Sequence, residues 1–237
     1  VHGTPENLAD LNDIATNLLP LVQQTGGVRS TPGATTRTGA YAGNTTVLEQ
    51  PLDLTTLSAK YIRFATDFIE ASAAGPFFLY MPFDHVHTTD HHQPQSQYAS
   101  CQFQNSTARG AFGDALAEVD WTIGRVVAKL NETGVLENTL ILFTGDNGPW
   151  LTEGLSSGSM GISHGRYAGY WNTGKGSTWD GGVHEPALAF WQGTIAPGTR
   201  SHEVVSSLDF FPTASALAGV PLPADRVYDG RDATAVL

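Results

Sequence analysis

The chain has 237 residues, a formal net charge of −11, 41% hydrophobic and 15% charged residues, 26 glycines and 13 prolines. That is a globular, loop-rich composition, long enough for one large domain or two small ones and for a sizeable core. A non-specific polyanion binder needs a basic surface, so nucleic acid is not an expected partner, and an anionic substrate would need a local cationic pocket against the global charge; no run of 18 or more apolar residues offers a membrane span.

Residues 1–52 read as a loop-rich segment. VHGTPENLAD has neither the basic nor the apolar region of a signal peptide and no initiator Met, so the chain is expected to be a processed or truncated piece. A short helix is predicted from about Asp10, broken at Pro20. TGGVRSTPGATTRTGAYAGNTT, rich in Gly and Thr with almost no apolar period, predicts a long surface loop.

From Asp53 onward the pattern sharpens, and residues 53–237 read as one domain. Leu57, Tyr61, Phe64, Ala65 and Phe68 have helical spacing, with Thr55 or Thr56 as the cap. Phe77–Met81 predicts a buried strand, and the histidine-rich DHVHTTDHHQP follows it directly. Leu116, Val119, Ile123, Val126, Val127 and Leu130 define the face of a longer helix that ends at Gly134. TLILFTGDNG is the next strand and its exit loop. After a Gly- and Ser-rich loop to about Thr178, a strand is predicted over Ala187–Trp191. SSLDFFPTASALAG is a short helix with Pro212 in its first turn, where a missing N–H is tolerated. The continuous apolar runs suit an α/β domain with a largely parallel sheet covered on both faces. In such sheets ligands bind beyond the carboxyl ends of the strands.

Two chemically rich segments lie at such ends. Asp146 and Asn147 offer a carboxylate and a neutral carbonyl, which suit a hard divalent cation, and Gly145 and Gly148 ease the bend that would let adjacent residues face one way. Asp-Asn-Gly is also favourable turn chemistry, and the pattern alone leaves both readings open. His85, His87, His91 and His92 fall within eight residues. Zinc, a proton donor, an anion-binding group or a plain polar loop are all compatible with that cluster. Lys175 stands between two glycines in NTGKGSTWDGG. The spacing is not that of a nucleotide P-loop, but a lysine on a glycine-rich backbone can neutralise an oxyanion.

Three N-x-[ST] sequons, at Asn44, Asn105 and Asn131, point to a secretory-route glycoprotein, extracellular or lysosomal. Cys101 is the single cysteine, so it pairs outside this chain or is buried and inert.

Taken together and in order, GPFFLYMPFDHVH, GAFGDALAEVDWTIG, LENTLILFTGDNGP, GKGSTWDGGVHEPALAFWQGTIAPG and SSLDFFPTASALAGVPLP, with DGRD near the end, resemble the type I sulfatases, most closely the arylsulfatase A-like branch. The resemblance covers roughly Asp53 to Asp232. It implies an alkaline-phosphatase-like three-layer α/β sandwich with a largely parallel sheet, here incomplete. It implies a bound Ca²⁺ and hydrolysis of a small-molecule or carbohydrate sulfate ester by a formylglycine nucleophile. By position, Asp146 and Asn147 resemble half of the calcium site, Lys175 the lysine that contacts the sulfate, and His87 the histidine that grips a sulfate or leaving-group oxygen. The family often has proline two residues after that histidine. Thr89 stands there here and His92-Gln93-Pro94 restores the pattern, making His92 the runner-up. His184, where the family often has arginine, is given no role. The family's C/S-x-P/A-x-R nucleophile motif is not found; CQFQN at Cys101 and STPGA at Ser30 both depart from it. The nucleophile and the other acidic half of the calcium site are therefore expected outside this chain. A phosphate or phosphonate ester hydrolase of the same superfamily, or a non-catalytic sulfatase-derived glycoprotein, are the alternatives.

Overall fold

The computed structural model describes residues 21–25, 44–50, 52–88, 97–151, 157–159 and 174–237. The helix predicted before Pro20 lies outside the described residues. The chain divides into two compact units, one of residues 1–64 with 81–122 and one of 65–80 with 123–237.

In the first unit, β1 (Leu21–Thr25) pairs antiparallel with β2 (Asn44–Glu49), with Val22 opposite Val47 and Thr25 opposite Asn44. This corrects the loop predicted over this region, whose two ends are strand. The β-branched residues favour extended backbone, but pairing with a distant segment leaves no local period to read. Helix α1 (Leu57–Ser72) follows a one-turn 3-10 helix, Leu54–Thr56. Asp53 caps that 3-10 turn, its Oδ1 accepting from the Thr55 amide at 2.9 Å and the Thr55 hydroxyl at 2.7 Å.

Helix α2 (Ala111–Glu132) starts over a turn gathered by one buried carboxylate. Asp114 accepts from the backbone amides of Asn105 at 2.8 Å, Ser106 at 3.2 Å and Thr107 at 2.9 Å. Its buried stripe is Ala115, Glu118, Val119 and Thr122, at helical spacing, whereas the predicted face residue Leu116 is half exposed. Polar Glu118 and Thr122 sit where a hydrophobic pattern skips them. The helix ends as predicted: Gly134 takes φ +74°, its amide bonds the Asn131 carbonyl, and the Val135 amide bonds the Leu130 carbonyl, each at 3.0 Å.

The segment predicted as a strand over Phe77–Met81 takes no regular structure and joins no ladder among the described residues, although Phe77 and Leu79 are less exposed than Phe78 and Tyr80. β3 (Ile141–Thr144) pairs antiparallel with β4 (Ala187–Phe190), Ile141 opposite Phe190 and Thr144 opposite Ala187. Both ladders of the described residues are antiparallel, so the parallel part of the expected sheet is not found among them. Continuous apolar runs report burial on two faces, not strand direction, and all four β4 residues are exposed. Between the strands lies a single turn of helix, α3 (Asp180–Val183), which no sequence signal announced.

Helix α4 (Phe210–Leu217) carries Pro212 buried in its first turn, as expected. It follows a capping box in which Leu208 donates to the Ser206 hydroxyl and the Ser206 amide to Asp209, the latter at 2.8 Å. The other Asp209 oxygen accepts from the Arg231 amide at 2.7 Å, tying DGRD to this helix. Those two amides hold the Asp209 carboxyl below the usual carboxylate range. A lowered carboxyl contributes stability that is present above its unfolded pKa of about 4 and lost as pH falls through the folded value. Asp209→Ala is expected to cost about 1 kcal/mol at neutral pH, comparable to losing a helix cap. Urea unfolding at neutral pH and at pH 2 should show the gap between wild type and variant closing in acid.

Candidate functional site

In the second unit, β3 delivers the chain into Gly145-Asp146-Asn147-Gly148. Asp146 is exposed and Asn147 partly so. Asn147 donates its Nδ2 to the Gly148 carbonyl at 3.0 Å, which leaves Oδ1 as the side chain's acceptor. Glu185, at the foot of β4, takes a hydrogen bond from the Thr144 hydroxyl at 3.3 Å. Burial pushes the Glu185 carboxyl up and the charge of Asp146 adds to it, against the Thr144 hydrogen bond. No pattern in the sequence marked Glu185; it arrives through the pairing of two strands distant in the chain.

The loop holding Lys175 folds onto this exit by backbone contact. The Gly148 amide donates to the Gly182 carbonyl at 3.0 Å and the Lys175 amide to the Pro149 carbonyl at 2.8 Å. A Cβ at Gly148 would collide with the Gly181 carbonyl, and one at Gly182 with the Ser177 carbonyl, so glycine is needed at both for the two backbones to approach. Within the loop, Ser177 returns to the Gly174 carbonyl through its amide at 3.2 Å and its hydroxyl at 2.9 Å. The Lys175 ammonium sits 5.5 Å from the centroid of the Trp150 ring, a cation–π contact on the strand-exit side of the lock. Asp146, Asn147 and Lys175 are therefore carried on two interlocked loops. His184 pairs with Asp180 at 3.3 Å.

Oxygen donors with no thiolate suit Ca²⁺ or Mg²⁺ rather than a soft metal. Asp146 and Asn147 fit such an ion as two ligands of the about six to eight that Ca²⁺ takes. Among the described residues, no three His, Cys, Asp or Glu side chains gather as a metal group. His91 and His92 lie outside the described residues.

In the first unit, His87 is exposed at the end of a turn closed by its amide donating to the Asp84 carbonyl at 2.9 Å. Its Nδ1 lies 2.6 Å from the Thr88 carbonyl. A carbonyl only accepts, so Nδ1 carries a proton and Nε2 is left for chemistry: an acceptor in the neutral ring, a donor once protonated. The Tyr61 hydroxyl donates to Asp84 at 2.9 Å. His85 and Glu118, both nearly fully buried, pair at 3.1 Å, and the Ser100 amide donates to the same Glu118 oxygen at 2.9 Å. Burial would raise the Glu118 carboxyl, but the bonds from His85 and Ser100 outweigh it and hold it low. The His85 ring lies against Tyr98, centroids 4.4 Å apart. Burial, and then the Asp84 charge, push the Tyr98 phenol up. Sequence reasoning passed over Glu118 and kept His85 only as one of a cluster. Cys101 is exposed, which corrects the buried alternative.

The sequence profile of the Sulfatase family matches residues 21–220. The chain is 40% identical over 187 residues to steryl-sulfatase of Rattus norvegicus, covering 79% of this chain and 31% of that protein. It is 42% identical over 196 residues to arylsulfatase A of Homo sapiens, covering 82% and 35%. Among solved structures, PsFucS1 sulfatase from Pseudoalteromonas sp. superposes with a TM-score of 0.70 at 32% identity, over 82% of this chain and 37% of that one. The chain thus spans about a third of the length of each of these proteins.

Proposed function

This chain belongs to the sulfatase family, and from that premise we propose that it forms the sulfate-binding part of a sulfuric ester hydrolase. The observation that carries this is the glycine lock. It fixes Lys175, through its own amide, to the loop that presents Asp146 and Asn147. An anionic ester needs a local cation in a chain of net charge −11, and Lys175 supplies one on a stiff backbone.

In this reading Asp146 and Asn147 would be two of the ligands of a Ca²⁺ ion, which would supply Lewis acidity toward a sulfate oxygen. Lys175 offsets negative charge on the remaining sulfate oxygens. By family position His87 is assigned the departing alcohol: with Nδ1 held on Thr88, the protonated ring would give up its Nε2 proton to that oxygen. The attacking group, a formylglycine by family pattern, is proposed to come from outside these 237 residues. The substrate class is a small-molecule or carbohydrate sulfate ester. Asn105 and Asn131 are exposed, as glycan acceptors on a secretory route require.

The test is the intact protein with a chromogenic aryl sulfate, a matched aryl phosphate, and chelator. Sulfate cleavage that is lost on chelation and restored by Ca²⁺ is expected. Phosphate cleavage alone would favour the phosphohydrolase alternative, and turnover of neither would favour a binding role.

A further inference from the structure

His87 is exposed, and its described hydrogen bonds run only to the backbone of Asp84 and Thr88. The three residues before it are pinned from three directions. Asp84 is held by Tyr61 of α1, His85 by Glu118 of α2, and the Val86 carbonyl by the Gln97 side-chain amide, which donates through Nε2 at 2.7 Å. The middle anchor is unusual in kind. A buried histidine–carboxylate pair is weak as a stabiliser, since apolar residues of similar volume often serve a core as well or better. What such a pair supplies is a fixed partner and a fixed geometry. Glu118 is held on its own side by the Ser100 amide, and Thr122 caps the Glu118 carbonyl at 2.7 Å.

We propose that Glu118 and His85 are positioning residues for His87: the buried pair sets the path of the 84–87 turn and so the place of the His87 ring. His85 does this by its bond to Glu118 and its packing on Tyr98, without itself meeting substrate. The inference rests on the proposed role of His87, but its first readout does not need turnover.

The experiment compares Glu118→Gln, Glu118→Ala and the apolar double variant His85→Phe/Glu118→Leu in the intact protein. The ring nitrogens of His87 are followed by 15N NMR, assigned with His87→Gln, and steady-state rates are measured on an aryl sulfate. Glutamine keeps an oxygen that accepts from His85 and Ser100, so Glu118→Gln should retain the single Nδ1–H tautomer and lose no more than about threefold in kcat. Glu118→Ala should broaden or mix the His87 tautomer signals and lower kcat about tenfold with KM nearly unchanged, as a misplaced proton donor does. If Glu118→Ala fails to fold, the apolar double variant decides: folding retained with the His87 signature and kcat lost supports positioning. Folding, signature and kcat all retained would overturn it, as the pair would then only fill space. If no ester is cleaved yet the His87 signals respond as stated, the function fails and the positioning stands.

Discussion

Lys175→Ala is expected to lower kcat of the intact enzyme on an aryl sulfate about 10²–10³-fold, the range seen when one preorganised charge-stabilising donor is removed. The effect should fall on kcat more than on KM. Charge on the sulfate oxygens redistributes as the ester bond breaks, so a fixed cation contributes more in the transition state than in the ground state. Preorganisation is visible in the structure. The Lys175 amide is tied to Pro149, and its ammonium lies near the Trp150 ring rather than loose in solvent. Steady-state kinetics check this, with thermal unfolding to confirm that the fold persists. An unchanged kcat would remove Lys175 from the reaction.

Gly148→Ala tests the lock itself. A methyl group there has only backbone to displace, because the Gly181 carbonyl occupies its place. The Gly148–Gly182 hydrogen bond must then break or the two loops must part. A shift of about 1 Å at a site costs about 10²-fold in rate, and the strain should cost about 2–4 kcal/mol of stability. Gly124→Ala is the matched control. Its Cβ would meet nothing within 4 Å, and it lies inside α2. That change should stabilise by about 0.5–1 kcal/mol and leave kcat alone. Urea unfolding and kinetics on the pair separate close approach from a general intolerance of alanine.

The groups legible in the sequence were those whose signal is local. Gly134 and Pro212 announced the end of one helix and the start of another, and both hold. Asp146, Asn147 and Lys175 are proposed from motif and family order, and the structure carries them on adjoining loops. What escaped depends on partners far along the chain. Glu118 reads as one acid on a helix until α2 places it against His85, 33 residues away. Glu185 gains its setting only when β4 pairs with β3. The cap of the 3-10 turn that leads into α1 was missed by a smaller margin: Asp53 stands just before the threonines that were expected to serve, and its carboxylate engages the nearer of them twice.

The exposed residues of β4, with Leu188 at 68% exposure, and the exposed Phe78 and Tyr80 have a consequence for behaviour in solution. Copies of a polypeptide carrying −11 repel one another at low ionic strength. Salt shortens that repulsion to about 8 Å at 0.15 M and about 3 Å at 1 M, while leaving apolar attraction in force. For these 237 residues as a separate species, added salt therefore works against colloidal stability: the acidic surface restrains association, and it weakens as the ionic strength rises.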